Sequence, residues 1–199
     1  MSMDFYKAVE NRRTYYGIGK EKVVSEDRVV EIVENSVKVA PTAFNSQSSR
    51  AIVLLKEHHD KLWDITKEAL RKIVPEESFP QTEARINGFK SGYGTVLFFE
   101  DQNVVKNLQE QFALYKDNFP VWSQQASGML QFIVWTSLEV EGLGASLQHY
   151  NPLIDEDVRK EWNVPENWKL IAQMPFGNVV AEPDEKSFQP IFERVKVNK

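Results

Sequence analysis

Arg12, Arg13 and Thr14 stand together in the segment RRTYYGIGK, and from 41 to 50 the chain reads PTAFNSQSSR. Two permanent cations beside a hydroxyl suit a phosphate monoester, because the guanidinium fork matches phosphate oxygens and the threonine adds a donor. Asn45, Ser46 and Gln47 supply amides and a hydroxyl of the kind that serve the polar edge of a ring. The plainer reading of the same arginines is a solvated pair closing a surface helix. On these residues alone both readings stand.

Two other clusters invite chemistry. In GLGASLQHYNP, from 142 to 152, Gln148 and His149 offer donors, Tyr150 a stacking face, and the glycines let backbone approach a planar ligand. A lone histidine in such a loop is otherwise structural. His58, His59 and Asp60 tempt a metal reading, yet neighbours on a helix point about a third of a turn apart and do not share an ion easily, so a solvated surface is expected. There is no GxSxG, and no serine partners the three histidines convincingly, so a hydrolase triad lacks support. Glu76–Glu77 and the pair Glu139 and Glu141 read as solvent-facing charge. Neither a Walker A sequence nor GxGxxG after a strand is present. With no cysteine, a disulfide, a thiolate nucleophile and a Cys-ligated metal are all ruled out. Electron transfer would therefore need a bound organic cofactor.

The elements that must position these residues fit one domain of 199 residues. A net charge of -5 argues against a nucleic-acid partner or an anionic membrane surface. The opening MSMDFYKAVENRR lacks the apolar core of a signal peptide, which with the missing cysteines leads us to expect a cytoplasmic protein. Periodicity predicts helices over 3–11, 25–39 with Ser25 as N-cap, 57–74, 82–89, 103–112, the 120s to 141, and 155–162. AIVLL (51–55), TVLFFE (95–100) and LIAQMPFG (170–177) read as buried strands, and the alternation in FERVKV near the C-terminus as a fourth. The uncharged run 118–138 is too polar for lipid and too apolar for solvent, which predicts a helix buried on nearly all sides, in the core or in a subunit interface.

Taken in order, RRTYYGIG, PTAFNSQSSR, GLGASLQHYNP, MPFGN and EPDEKSFQP make the chain resemble, over nearly its whole length, the FMN-dependent nitroreductase family, and within it the short fatty-acid-repression-type branch with its small bacterial relatives. The resemblance implies an α+β fold with a small central, mostly antiparallel sheet flanked by helices. It further implies one FMN-binding domain over 1–199, an intertwined homodimer, and a C-terminal arm from about 182 to 199 exchanged onto the partner subunit. That arm would close an otherwise open sheet edge. By the same resemblance Arg12, Arg13 and Thr14 hold the FMN phosphate and flavin edge, the polar cluster carries over as Asn45 and Gln47 with Pro41 to Phe44 approaching the flavin from the partner subunit, and Gln148 and His149 lie over or beside the ring. Lys186 matches the first member of a C-terminal basic pair. Phe188 stands where many relatives have arginine, which leaves Arg194 as a candidate second cation. Tyr16 replaces a lysine that faces the flavin pyrimidine in larger relatives. The implied activity is reduction of nitroaromatic or quinone acceptors by NADH or NADPH in a ping-pong cycle, with no catalytic side chain of the protein's own. A flavin- or lipid-responsive sensor with incidental reductase activity is the alternative.

Overall fold

In the computed structural model, which describes residues 4–199, the elements run α1 (Phe5–Asn11), β1 (Ile18–Gly19), α2 (Glu26–Val39), β2 (Ser49–Leu55), α3 (Glu57–Arg71), α4 (Phe79–Lys90), β3 (Gly94–Asp101), α5 (Gln102–Gln111), α6 (Phe119–Val140), β4 (Leu143–Ala145), α7 (Asp155–Glu161), β5 (Trp168–Val179) and α8 (Ile191–Arg194). The expected start of the first helix at Met3 lies outside the described residues. Ser25 caps α2 as expected, its hydroxyl accepting from the Arg28 amide at 3.1 Å.

β3 organises everything else. It pairs antiparallel with β2 on one side and β5 on the other, and every one of its residues is buried. Successive strand side chains alternate between faces, so Val96 and Phe98 pack with α2 and α6 while Leu97 and Phe99 pack with α3, α4 and α7. The result is an α+β fold of three layers around an antiparallel sheet.

Two short strands complete the sheet, and both fall inside segments expected to be loop. β1 pairs with β5 through Ile18 with Val179 and Gly19 with Asn178, and β4 pairs with β5 through Leu143 with Asn178 and Ala145 with Phe176. Glycine permits this crowding: a Cβ on Gly144 would sit 2.9 Å from the Tyr15 side chain. β2 pairs with no strand other than β3 among the described residues, so its outer edge is open.

Two expectations need correction. FERVKV is not a strand: residues 191–194 form the single turn of α8, and Val195 is extended without a partner strand. A strand needs a neighbour for its backbone groups, and one chain offers this segment none. Along α6, Val121, Met129, Phe132 and Val140 are exposed in one protomer, so the core alone does not bury this helix on all sides. His59 is not on a solvated surface. It is fully buried, its Nδ1 lying 2.9 Å from Thr95 Oγ1 and its Nε2 3.2 Å from the Lys90 carbonyl. A carbonyl only accepts, so Nε2 carries the proton; Thr95 then donates to Nδ1 while accepting from Trp63 Nε1 at 3.1 Å. Burial lowers the His59 pKa to about 4, since the charged ring would be stripped of water. His58 does stay exposed, and no metal-holding cluster of His, Asp or Glu exists among the described residues.

Candidate functional site

The segment carrying Arg12, Arg13 and Thr14 leaves α1 and runs along β4. Thr14 bridges to Ala145, and the Tyr15 amide donates to the Ala145 carbonyl at 2.9 Å. Two residues later the Gly17 carbonyl accepts from the Val180 amide at 2.9 Å, where the chain leaves β5 for its C-terminal arm. The arm is thereby delivered to the arginines: Arg13 Nη2 donates to the Asp184 carbonyl at 2.5 Å, joining residues 171 apart in sequence. Lys186 follows two residues on, with its ammonium 5.3 Å from the Phe188 ring centroid. Phe188 therefore presents a π face to the lysine at the position where a second cation was wanted. Arg194 closes α8 farther along the arm and is exposed.

Arg12 is half-buried against α6, its guanidinium 4.4 Å from the centre of the Trp135 ring. Burial lowers its pKa, partly opposed by Glu139 and reinforced by Arg13. Burial likewise raises the pKa of Glu139, offset by Arg12 and reinforced by Glu182. Opposite charges that both move toward neutrality are paying for lost water more than they gain from each other. Glu139 is thus not the solvent-facing charge expected of it. Among the described residues, Arg12 Nε and Trp135 Nε1 are both buried without a hydrogen-bond partner. Orphaned buried donors are uncommon, and two beside one another form a place where an anion's oxygens would be satisfied.

Beyond β4, Gln148 bridges to Gln173 through backbone hydrogen bonds of 2.7 and 2.9 Å, and its side-chain amide donates to Ser146 Oγ at 3.0 Å. His149 is exposed beside it, and the Tyr150 amide donates to Gln173 Oε1 at 2.7 Å. The exposed Tyr16 ring lies 6.4 Å from Phe89, which in turn lies 6.4 Å from Tyr150. Arg12, Arg13, Thr14 and Lys186 thus gather where the segment after α1 meets the C-terminal arm, whereas Tyr16 lies against Phe89 of the opposite core cluster and Gln148 sits at mid-sheet, its partner Gln173 pairing with Leu97.

Asn45 and Gln47 lie away from the Arg12, Arg13 and Thr14 cluster. Thr14 is linked through Ala145 and Phe176 to Gly94 at one end of β3, whereas Gln47 precedes Ser49, which pairs with Glu100 at the other end. Six residue steps along β3 separate the two ends, about 20 Å at extended rise. The loop bearing the amides is tightly built. Phe44, Asn45 and Gln47 have φ of 57°, 49° and 50°, left-handed values that non-glycine residues adopt at a cost. The Gln47 amide donates to Thr42 Oγ1 at 3.0 Å, and Arg50 donates to the Gln47 carbonyl at 2.7 Å and to Asp101 at 2.9 Å. Phe44 packs among Phe112, Tyr115, Phe119 and Trp122.

Trp135 and Glu139 were missed as neighbours of Arg12. They sit one turn apart, and Glu139 is the first charge to follow the uncharged run, which was the available signal.

Comparison with known proteins places the chain firmly. A sequence model of the Nitroreductase family matches residues 9–178. The nitroreductase FRM2 of Saccharomyces cerevisiae is 34% identical over 190 residues, covering 93% of each chain. The nitroreductase CinD from Lactococcus lactis, solved in complex with chloramphenicol, is 51% identical over 98% of this chain and 100% of its own, with a TM-score of 0.91. A nitroreductase with bound FMN from Desulfitobacterium hafniense shares the fold at a TM-score of 0.71 and 14% identity, covering all of both chains.

Proposed function

The chain belongs to the nitroreductase family, and from that we propose that it is an FMN-dependent oxidoreductase that uses NADH or NADPH to reduce nitroaromatic and quinone acceptors. The observation that carries the reading is the meeting of Arg13 with the C-terminal arm beside the orphaned Arg12 Nε and Trp135 Nε1. Fixed cations, a threonine hydroxyl and unsatisfied donors are the chemistry a phosphate monoester needs, so the residues fit FMN. When bound, FMN supplies the redox chemistry, accepting hydride from the nicotinamide and passing it to the acceptor in separate half-reactions.

The protein's own residues bind and orient. Arg12, Arg13, Thr14 and Lys186 hold the phosphate, with Arg194 available from the arm. Gln148 and His149, which follow β4, would flank the ring. Tyr16 occupies the edge where a lysine is absent, so stabilising negative charge there falls to Arg13 and backbone donors. Asn45 and Gln47 reach the ring edge from a second copy, since their own chain holds them at the far end of the sheet.

The same reading includes a homodimer, which the exposed apolar residues support. Met129 and Phe132 on α6, and Phe188, Ile191, Phe192, Val195 and Val197 on the arm, are apolar and exposed. The open edge of β2 borders a cavity of about 600 Å³ floored by Val33, Val37, Ala51 and Val53. The arm of a second copy, beyond its own Lys186, fills that cavity and covers the edge. The bound chloramphenicol and 4-nitrophenol of the CinD structures support an acceptor of the nitroaromatic class.

Stopped-flow mixing of the FMN-loaded protein with NADH or NADPH tests the proposal. Flavin absorbance should bleach on the turnover timescale and return on adding a nitroaromatic. Bound flavin that neither nucleotide reduces would overturn it in favour of a sensor.

A further inference from the structure

Glu100 is buried completely at the end of β3, and no cation pairs with it among the described residues. Its carboxylate is met by three serine hydroxyls: Ser49 donates to Oε1 at 2.6 Å, while Ser48 and Ser123 donate to Oε2 at 2.6 and 2.8 Å. A carboxylate in the interior is expensive unless its lone pairs are satisfied, and a core built only for stability would place an apolar residue here. The three serines come from separate places. Ser48 ends the loop of left-handed residues, Ser49 opens β2, and Ser123 lies in the second turn of α6. The neighbouring Asp101 repeats the pattern by holding Arg50 and Asn167 at 2.9 and 2.6 Å, and Arg50 in turn grips the Gln47 carbonyl.

We propose that Glu100 is a positioning residue for the flavin ring: by clamping Ser48, Ser49 and Ser123 it fixes the loop 41–48 to the sheet and α6, so that Asn45 and Gln47 are presented in one rigid conformation. This rests on the FMN reading above. Phe44, Asn45 and Gln47 hold a conformation the chain does not favour, and left-handed backbone at several nearby positions persists only where surroundings over-determine it. The aromatic nest around Phe44 fixes one end of the loop and the Glu100 clamp fixes the other. Neither reaches the phosphate cluster, so loosening Glu100 weakens the grip on the ring and leaves the grip on the phosphate intact.

That separation supplies the test. Apo-protein is titrated with FMN and with riboflavin, which has the ring but no phosphate, for wild type, Glu100→Gln, Ser123→Ala and Lys186→Ala. Glu100→Gln is expected to lose affinity for both ligands by the same factor, about tenfold, and to shift the visible spectrum of the bound flavin; Ser123→Ala does the same by about threefold. Lys186→Ala loses affinity for FMN and leaves riboflavin unchanged. Should Glu100→Gln not fold, Ser123→Ala decides. Variants that fold and keep wild-type affinities and spectrum would overturn the role of Glu100. A wild-type protein that binds neither ligand would overturn the FMN reading and this inference with it.

Discussion

The two faces of the sheet are finished to different degrees. Against Leu97 and Phe99 the helices α3, α4 and α7 build a closed core in which Leu62, Trp63, Ile86 and Ile154 are fully buried, and even the histidine there has both ring nitrogens occupied. Against Val96 and Phe98, α2 and α6 bury one side each, but α6 leaves Met129 and Phe132 in solvent while the arm carries Phe192, 74% exposed, and Ile191, 68% exposed. One protomer satisfies the first face by itself. The second leaves apolar side chains exposed in one protomer, and it is on this side that Arg12 packs against Trp135 of α6.

Substitutions can break this contrast, and the largest effect belongs to the closed face. Trp63→Ala removes a fully buried indole together with its hydrogen bond to Thr95, and should cost about 3–5 kcal/mol of folding stability in urea titration. An effect below about 1 kcal/mol would mean that this core is loose. Next in size is the pH dependence owed to His59. Its folded pKa of about 4 lies below the ordinary 6.5, so the unfolded chain binds more protons between these values and stability falls as pH drops through that window. The loss amounts to about 3 kcal/mol by pH 4, and His59→Gln should flatten this part of the profile. A profile unchanged by His59→Gln would contradict the buried neutral ring.

Arg12→Ala should weaken FMN binding by about 1.5–3 kcal/mol through loss of a charge-assisted contact, measured as a dissociation constant by flavin fluorescence. Unchanged affinity would leave Arg12 a packing partner of Trp135 and nothing more. The smallest stability effect belongs to the open face. Phe132→Ser should alter the unfolding free energy of a protomer by no more than about 0.5 kcal/mol, yet shift sedimentation from dimer toward monomer and lower FMN occupancy. A large loss of protomer stability without any change in assembly would erase the contrast between the faces.

Much of the fold is legible in the residues because apolar runs and periodicities have few solutions. TVLFFE is apolar on both faces and became the strand buried on both. Leu62, Ala69 and their neighbours set α3 on the sheet. His59 belongs to the same helical stripe as Leu62, Trp63 and Thr66, and only its polar name hid it. β1 and β4 were illegible because strands of two and three residues owe their existence to register with β5 rather than to local preference. FERVKV alternates like a strand, but a strand also needs a neighbour, which one chain does not supply. At the candidate site, residue type announced the arginines, while Glu100 passed as the charge that ends a strand and the orphaned donors were visible only in three dimensions.

The central claim is that each flavin site takes its phosphate cluster from one copy and its amide loop from the other. A mixed dimer tests it most directly. One copy carries Arg13→Ala with Lys186→Ala, the other Asn45→Ala with Gln47→Ala, and the heterodimer is purified through two different tags and titrated with FMN. If the sites are shared, both lesions fall in one site and the other is intact, so the heterodimer recovers one tight site where each parent homodimer has none. If the cluster and the loop of a single chain serve the same flavin, both sites in the heterodimer are damaged, and failure to recover any tight site would contradict the account.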